Sequence, residues 1–370
     1  MDKIYLDYNA STPIDPQVIE AMVPFLKSGF GNPSSSHWAG IEAKNALVKS
    51  REQVAALLGC ETEEIIFTSG GSESNNHALK GVYFANKHKG NHIITTKIEH
   101  PAIVSPCNFL ETLGARVTYV NVDQYGKVNP QEIEQAITDE TILISVMHAN
   151  NEVGTIQPIK EIAKIAKQNN VIFHTDAAQS IGKIPTKVNE MGVDLLSIAG
   201  HKLYAPKGIG ALFVRKGTRI DSFIHGAGHE SGSRAGTENI LQIVALGKAC
   251  ELATEINENV HTLKNYFWEE LRRVFGEKVV VNGKLDECLP NTLNVSFIGE
   301  VGQELLARTP ELAASTGAAC HTGSVQLSPV LEAMKVDEIT GKGTIRFSLG
   351  RFTTKEEVDR AVLLLSKQKM

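Results

Sequence analysis

From Glu64 onward, short apolar runs alternate with longer amphipathic stretches. Apolar runs bounded by turn formers read as buried strands. They fall at 65–68, 92–97, 117–120, 141–148, 171–174, 195–198 and 209–214. Apolar positions at helical spacing predict helices between them, among them 102–113 and 159–168. The run at 141–148 is continuously apolar, the pattern of a parallel strand covered on both faces. Ahead of it a helix is predicted over 40–58, with Ala43, Leu47, Val54 and Leu58 on one stripe. The chain before Asn45 shows little periodicity and holds Gly31-Asn-Pro-Ser-Ser-Ser-His37, a run of turn formers. Later come a long helical region over 238–275, strands over 292–297 and 344–349, and a closing helix over 354–367. Thr353 and Glu356 are read as the capping pair that opens this last helix.

Strand–helix alternation of this kind predicts an α/β fold: a mostly parallel sheet with helices on both faces. Ligands of such sheets sit beyond the carboxyl ends of the strands. Ser72, His100, Asn151, Asp176, Gln179 and Lys202 all fall just past strand ends. Any one of them is an ordinary loop residue, but together on one edge they predict a convergent site. Ser69-Gly-Gly-Ser72 joins a strand to a helix start, which is either an anion cradle made by the helix amides or a plain capped turn. It is neither a P-loop nor GxGxxG. Lys202 follows Ala199-Gly-His201 at the end of an apolar run. Burying an unpaired ammonium is costly, so this lysine is either a covalent tether for a carbonyl cofactor or a surface lysine in a turn. Residues 224–237 are too rich in glycine for a regular element and read as a loop that allows close backbone approach. Arg346, inside an apolar strand, needs a carboxylate or solvent. Cys320 lies in a loop of small residues, either as an accessible thiol or as a buried inert one.

Composition narrows the class. With 370 residues, about two domains are expected. Hydrophobic residues at 42% and charged residues at 21% exclude a disordered chain. The net charge of −5 is scattered and no basic stripe is present, which argues against direct nucleic-acid binding. Met1 to Asp7 shows no signal-peptide pattern and no apolar run is long enough to cross a bilayer, so a soluble, cytoplasmic protein is expected. The five cysteines are widely spread without a CxxC, so neither a metal site nor a disulfide framework is expected.

Taken in order, the short motifs resemble one family. They are Tyr5-Leu-Asp-Tyr-Asn-Ala, Gly31-Asn-Pro-Ser-Ser, Thr68-Ser-Gly-Gly-Ser-Glu-Ser-Asn-Asn, Glu99-His100, Asn150-Asn-Glu-Val-Gly, Asp176-Ala-Ala-Gln, Gly200-His-Lys, Arg234-Ala-Gly-Thr and Arg346-Phe-Ser-Leu-Gly-Arg. The set resembles the cysteine desulfurases and selenocysteine lyases that use pyridoxal 5'-phosphate (PLP), of the class V aminotransferase-like fold type I. The resemblance implies a large domain over 15–259 with a seven-stranded-type sheet. It also implies a smaller α+β domain from 1–14 and 260–370, which carries the cysteine loop.

The same resemblance implies roles. Lys202 would tether the cofactor and move the substrate α-proton. Asp176 would pair with the pyridine nitrogen, His100 would stack on the ring, and Gln179 would contact its hydroxyl oxygen. Gly71, Ser72 and His201 would hold the phosphate, with Thr237 reaching in from a second subunit. Asn151 and Arg346 would orient the substrate, L-cysteine, and Cys320 would take its sulfur as a persulfide. A homodimer and a sulfur acceptor, such as an iron–sulfur scaffold protein, are the implied partners, with iron–sulfur cluster assembly or tRNA thiolation as the implied pathway. A transaminase and a non-catalytic scaffold are the other readings.

Two departures stand out. Ala199 occupies a position where many members carry a phosphate-binding serine. The stretch Gly317-Ala-Ala-Cys320-His-Thr, with Ser328-Pro-Val-Leu downstream, looks more like a selenocysteine lyase loop. Its length up to Pro329 nevertheless matches the longer desulfurase type.

Overall fold

The computed structural model describes residues 3–254, 258–321 and 324–368, with the backbone alone over 318–326. The strands are β1 (Ile4–Tyr5), β2 (Ile65–Thr68), β3 (His92–Thr96), β4 (Arg116–Val120), β5 (Thr141–Ser145), β6 (Ile172–Asp176), β7 (Leu195–Ala199) and β8 (Gly210–Val214). They continue with β9 (Val279–Val281), β10 (Thr292–Phe297), β11 (Leu312–Ala313), β12 (Ser315–Thr316), β13 (Ala318–His321), β14 (Ser324–Leu327) and β15 (Thr344–Ser348).

Strands β2 to β8 form the expected mostly parallel sheet of seven strands, in the order 2-8-7-6-5-3-4. Only β8 runs against its neighbours. Its connection from β7 is short, and a parallel pair needs a crossover of roughly a dozen residues or more. Adjacent apolar residues in each strand serve opposite faces. Ile93, Leu143, Leu195 and Leu212 pack in one cluster, and Ile94, Ile144, Leu196 and Phe213 in another. This two-sided burial explains why the strands read as continuous apolar runs. The run at 141–148 stops as a strand at Ser145, although Val146 and His148 still donate to the carbonyls of His174 and Asp176.

The region before Asn45, expected to be irregular, holds helix α1 (Pro16–Lys27). Asp15 caps it by accepting the Gln17 N–H at 2.9 Å, and Pro16 fills the first position, where a missing N–H costs nothing. Helix α2 (Trp38–Leu58) begins two residues ahead of the expected start and ends at Gly59, whose φ of +68° gives a left-handed cap. Helices α3 (Gly71–Asn86) and α4 (Pro101–Glu111) cover one face of the sheet through Leu79, Val82, Cys107 and Leu110. Ile162, Ala166, Ile243 and Leu246, from the helices Ile159–Gln168 and Ile240–Leu252, cover the other.

A second sheet runs in the order β12-β15-β10-β9, antiparallel throughout. β1 pairs in parallel with β11, and Ile4 and Leu6 are buried with Phe267, Leu271, Leu293 and Phe347. The long helical region over 238–275 divides into Ile240–Leu252 and Glu258–Phe275. The closing helix, Lys355–Ser366, is capped one residue later than expected. Thr354 and Glu357 form the capping box, while the Thr353 hydroxyl accepts the Gly350 N–H. Among the described residues no helix is long and apolar enough to cross a membrane.

Candidate active site

The carboxyl ends of the parallel strands open on a cavity of about 640 Å³. Gly71, Ser72, His100, Asn151, Asp176, Gln179, His201, Lys202 and Arg346 line it. The topology thus gathers nine of the expected site residues at one sheet edge, with Arg346 supplied from the second sheet.

Asp176 ends β6 and is buried. Its Oδ2 accepts the Asn75 side-chain amide at 2.7 Å, and its Oδ1 accepts the Ala178 N–H at 2.9 Å. The carboxylate is therefore held in place from α3 and from its own turn. His100 is the N-cap of α4, with Nδ1 accepting the Ala102 N–H at 3.1 Å. That contact leaves the proton of the neutral ring on Nε2. Partial burial holds this imidazole below its usual range, Lys202 adds to the effect and Asp176 opposes it.

Lys202 follows β7 on a short turn (Gly200–Lys202). Its amine donates to the carbonyls of Asn9 and Ala10, the latter at 2.7 Å. Burial, with the Arg346 guanidinium beside it, pushes the amine down to about 8, against the pull of Asp7 and Asp176. An amine so placed gives up its proton more readily than an ordinary lysine, which suits covalent chemistry and proton transfer.

Arg346 sits in β15, one-tenth exposed. Its Nη2 pairs with Asp7 Oδ1 at 2.6 Å and donates to Ser315 Oγ at 2.9 Å, while Nη1 donates to the Asn151 carbonyl at 2.9 Å. Among the described residues its buried Nε has no partner. A fixed guanidinium with a spare buried N–H suits the capture of a carboxylate.

At the other end of the cavity lies the start of α3. Gly70 has φ +148°, a conformation open to glycine, and a Cβ on Gly71 would stand 3.1 Å from the Ala199 Cβ. The first amides of α3 are thus closely approachable, as an anion cradle requires. Beside them burial, with Lys202 and Lys207, pushes His201 down to about 4. The departure at Ala199 places a methyl group where a hydroxyl was expected.

One expected residue, Thr237, is not among the described residues that line this cavity, and Cys320 is described by its backbone alone. Thr237 is exposed, on a loop tied to α3 by the Arg234–Glu73 ion pair at 2.9 Å. Cys320 lies by its backbone in β13, which pairs with β14. The stretch expected as a loop is thus a two-stranded ribbon, and the Cys320 side chain falls outside the described residues. The ribbon's base is fixed near the cavity. Ser328 Oγ donates to Glu152 Oε2 at 2.6 Å, next to Asn151, and Ser328 N–H donates to the Gly317 carbonyl at 2.8 Å.

Sequence reading gave no role to Asp7, Asn9, Asn75 or Lys183. The first three lie inside quoted motifs, which was the available signal; Lys183 follows Gln179 by four residues with no motif around it.

A family model described as Aminotransferase class-V matches residues 4–361. The chain belongs to the class V aminotransferase family. The chain is 48% identical over 371 residues to a cysteine desulfurase IscS of Dictyoglomus turgidum, covering 99% of this chain and 94% of that protein. Identity to a cysteine desulfurase IscS of Klebsiella pneumoniae is 45% over 373 residues, covering 98% and 92%. Among solved structures, a NifS-like protein superposes with a TM-score of 0.92 at 38% identity, covering 99% of this chain and 98% of that one. SspA in complex with cysteine gives 0.85 at 39% identity, covering 95% and 100%.

Class V aminotransferases use PLP, and the residues present fit it. The glycine cradle at Gly70–Gly71 suits a phosphate, the lowered amine of Lys202 an aldehyde, and the buried Asp176 carboxylate a ring nitrogen.

Proposed function

We propose that this protein is a PLP-dependent cysteine desulfurase, converting L-cysteine to L-alanine and taking the sulfur onto Cys320. The observation that carries the reading is the gathering of Lys202, Asp176, His100 and Arg346 around one cavity whose wall, at Asn151-Glu152, roots the ribbon bearing Cys320. A solved relative in complex with cysteine supports the choice of substrate.

The cofactor, carried on Lys202, supplies an electron sink for the bond-breaking at the substrate's α-carbon. Arg346 holds the substrate carboxylate through its charge and the Nε N–H, and the Asn151 carbonyl, accepting from Nη1, fixes that guanidinium. The Lys202 amine takes and returns the α-proton. Asp176 would face the ring nitrogen, and His100 offers its Nε2 proton to the cavity. The first amides of α3 and His201 hold the phosphate. The Cys320 thiolate attacks the substrate sulfur; the electrons of the broken carbon–sulfur bond remain on the substrate carbon, which is protonated to alanine. Cys320 is left as a persulfide for a protein acceptor, an iron–sulfur scaffold or a tRNA-thiolation partner. The working form is a homodimer in which Thr237 of each copy completes the other's phosphate cradle.

The test is product analysis of the PLP-loaded protein with cysteine and selenocysteine in parallel. Alanine and sulfide from cysteine, with sulfide release lost in Cys320→Ala while the cofactor colour stays, is the expected result. Alanine from selenocysteine alone, unaffected by Cys320→Ala, would instead establish the lyase that the sequence of the Cys320 ribbon resembles.

A further inference from the structure

Lys183 is a partly buried charged group that the proposed chemistry leaves unused. Its amine donates to Asn9 Oδ1 at 3.0 Å and to Gln179 Oε1 at 3.2 Å. Among the described residues no carboxylate hydrogen-bonds to it. The charged groups acting on it are Lys202 and Arg346, both cations, while Glu258 and Arg351 line a second cavity of about 580 Å³ that Lys183 and Lys202 also line. Burial and those cations push the amine down to about 7. A lysine without a counter-ion is a poor way to fill such a position, and an apolar side chain of similar length would be buried at less cost. Something other than packing accounts for the lysine.

The hydrogen bonds around it indicate what. An ammonium has donors and no acceptor, so any amide facing it must turn its oxygen toward it. In its charged form the lysine therefore turns both neighbouring amide oxygens toward itself, in the sense that the Asn9 carbonyl and the Asn291 amide also favour. Gln179 turns Oε1 to Lys183, and its Nε2 donates to the Asn9 carbonyl at 2.9 Å with one N–H to spare. Asn9 turns Oδ1 to Lys183 and to the Asn291 amide at 3.0 Å. Its Nδ2 then donates to Thr292 Oγ1 at 2.8 Å and to the Asn151 carbonyl at 3.3 Å. Without the lysine, a Gln179 amide turned by half a rotation would present oxygen where it now presents N–H.

We propose that Lys183 is a positioning residue: by holding the oxygens of Gln179 and Asn9 it fixes the Gln179 amide as a hydrogen-bond donor toward the ring oxygen of the bound cofactor. The inference rests on the reading of the cavity as a PLP site. A donor at that oxygen favours its anionic form, so the lysine acts on the cofactor's protonation through Gln179 without touching it.

The experiment follows the visible absorbance of the PLP-loaded protein against pH, with no substrate present. In Lys183→Met the midpoint of the absorbance change moves up by about one pH unit, the size of one hydrogen bond to a charged acceptor. Lys183→Arg, which keeps donors at the site, restores most of the wild-type midpoint. In a Gln179→Leu background the Lys183→Met change produces no further shift, because the lysine acts through that amide. An unchanged midpoint in loaded Lys183→Met overturns the proposal. So does an equal shift in the Gln179→Leu background, which would mean that the lysine acts by its charge alone. Should Lys183→Met fail to fold or load, Lys183→Gln, which is neutral and shorter, is read by the same criteria. A wild-type protein that shows no visible band with PLP removes the underlying functional reading as well, so the two failures are distinguishable.

Discussion

At the scale of single residues, the site is held by side chains that are themselves held. Arg346 shows this most clearly, since Asp7, Ser315 and the Asn151 carbonyl take its two terminal nitrogens and leave Nε free. Arg346→Lys keeps the charge but loses the paired donors. Losing a hydrogen bond to a charged group costs about 1.5–3 kcal/mol, so KM for cysteine is expected to rise about ten- to a hundredfold. The cofactor spectrum stays unchanged, and steady-state kinetics beside an absorbance scan check both. Lys202, Asp176, His100 and Gln179 were legible in the sequence because each follows an apolar run, and the strand-end rule needs nothing else. Asn9 and Lys183 were not legible. Their partners lie on elements that only the folded chain brings together, and nothing local marks a lysine that faces two amide oxygens.

At the scale of elements, α1 was missed for a physical reason. Val18 is its one fully buried residue, and Pro24 lies inside it, where a proline argues against a helix. The legible signal was the pair Asp15-Pro16, a cap followed by a first-turn proline. The cap does double duty, because Asp15 Oδ2 also pairs with Arg351 Nη1 at 2.8 Å, and that guanidinium stacks 4.0 Å from the Tyr204 ring centre. Asp15→Ala is expected to cost about 2 kcal/mol, the cap and the partly exposed ion pair together. Asp15→Asn, which keeps the cap, should recover about half of it. Urea unfolding midpoints of the two variants measure the difference. The Cys320 ribbon was harder to read, because small residues on both sides of the cysteine give no alternation from which pairing could be inferred.

At the scale of the whole molecule, the central sheet encloses polar groups that make its stability depend on pH. His174 lies between Ser145 on β5 and Ser197 on β7, at 2.9 and 3.0 Å, and burial pushes it down to about 3. His148, against Ser180 at 2.9 Å, is pushed down to about 4. Both rings are neutral when folded and take up a proton when unfolded below about 6.5. Their contribution is fully present above that pH and is lost as the pH falls toward 4. Glu99 works in the opposite sense. Burial pushes its carboxyl up to about 8, so its contribution declines as the pH rises through the range from 4.5 to 8. Two histidines outweigh one glutamate, and a net loss of about 1 kcal/mol is expected between pH 6.5 and pH 5. Urea titrations at the two pH values give the number, and greater stability at pH 5 would contradict the assignment. The sheet as a whole was legible from its apolar runs. The pairing of β1 with β11 was not, since two residues are too few to carry a pattern.

The Asn9 junction also has a meaning in time. Its backbone and side chain bond to Asn291, Thr292 and Ser348, which follow it by 282, 283 and 339 positions. A ribosome that has delivered all seven strands of the central sheet has made none of these partners. The segment synthesised first is therefore fully fastened only after the last of these partners has been made. A nascent chain stopped before residue 291 holds Lys202 and Asp176 but lacks Asn291, Thr292, Ser348 and Arg346, so the sheet is complete before the cavity is.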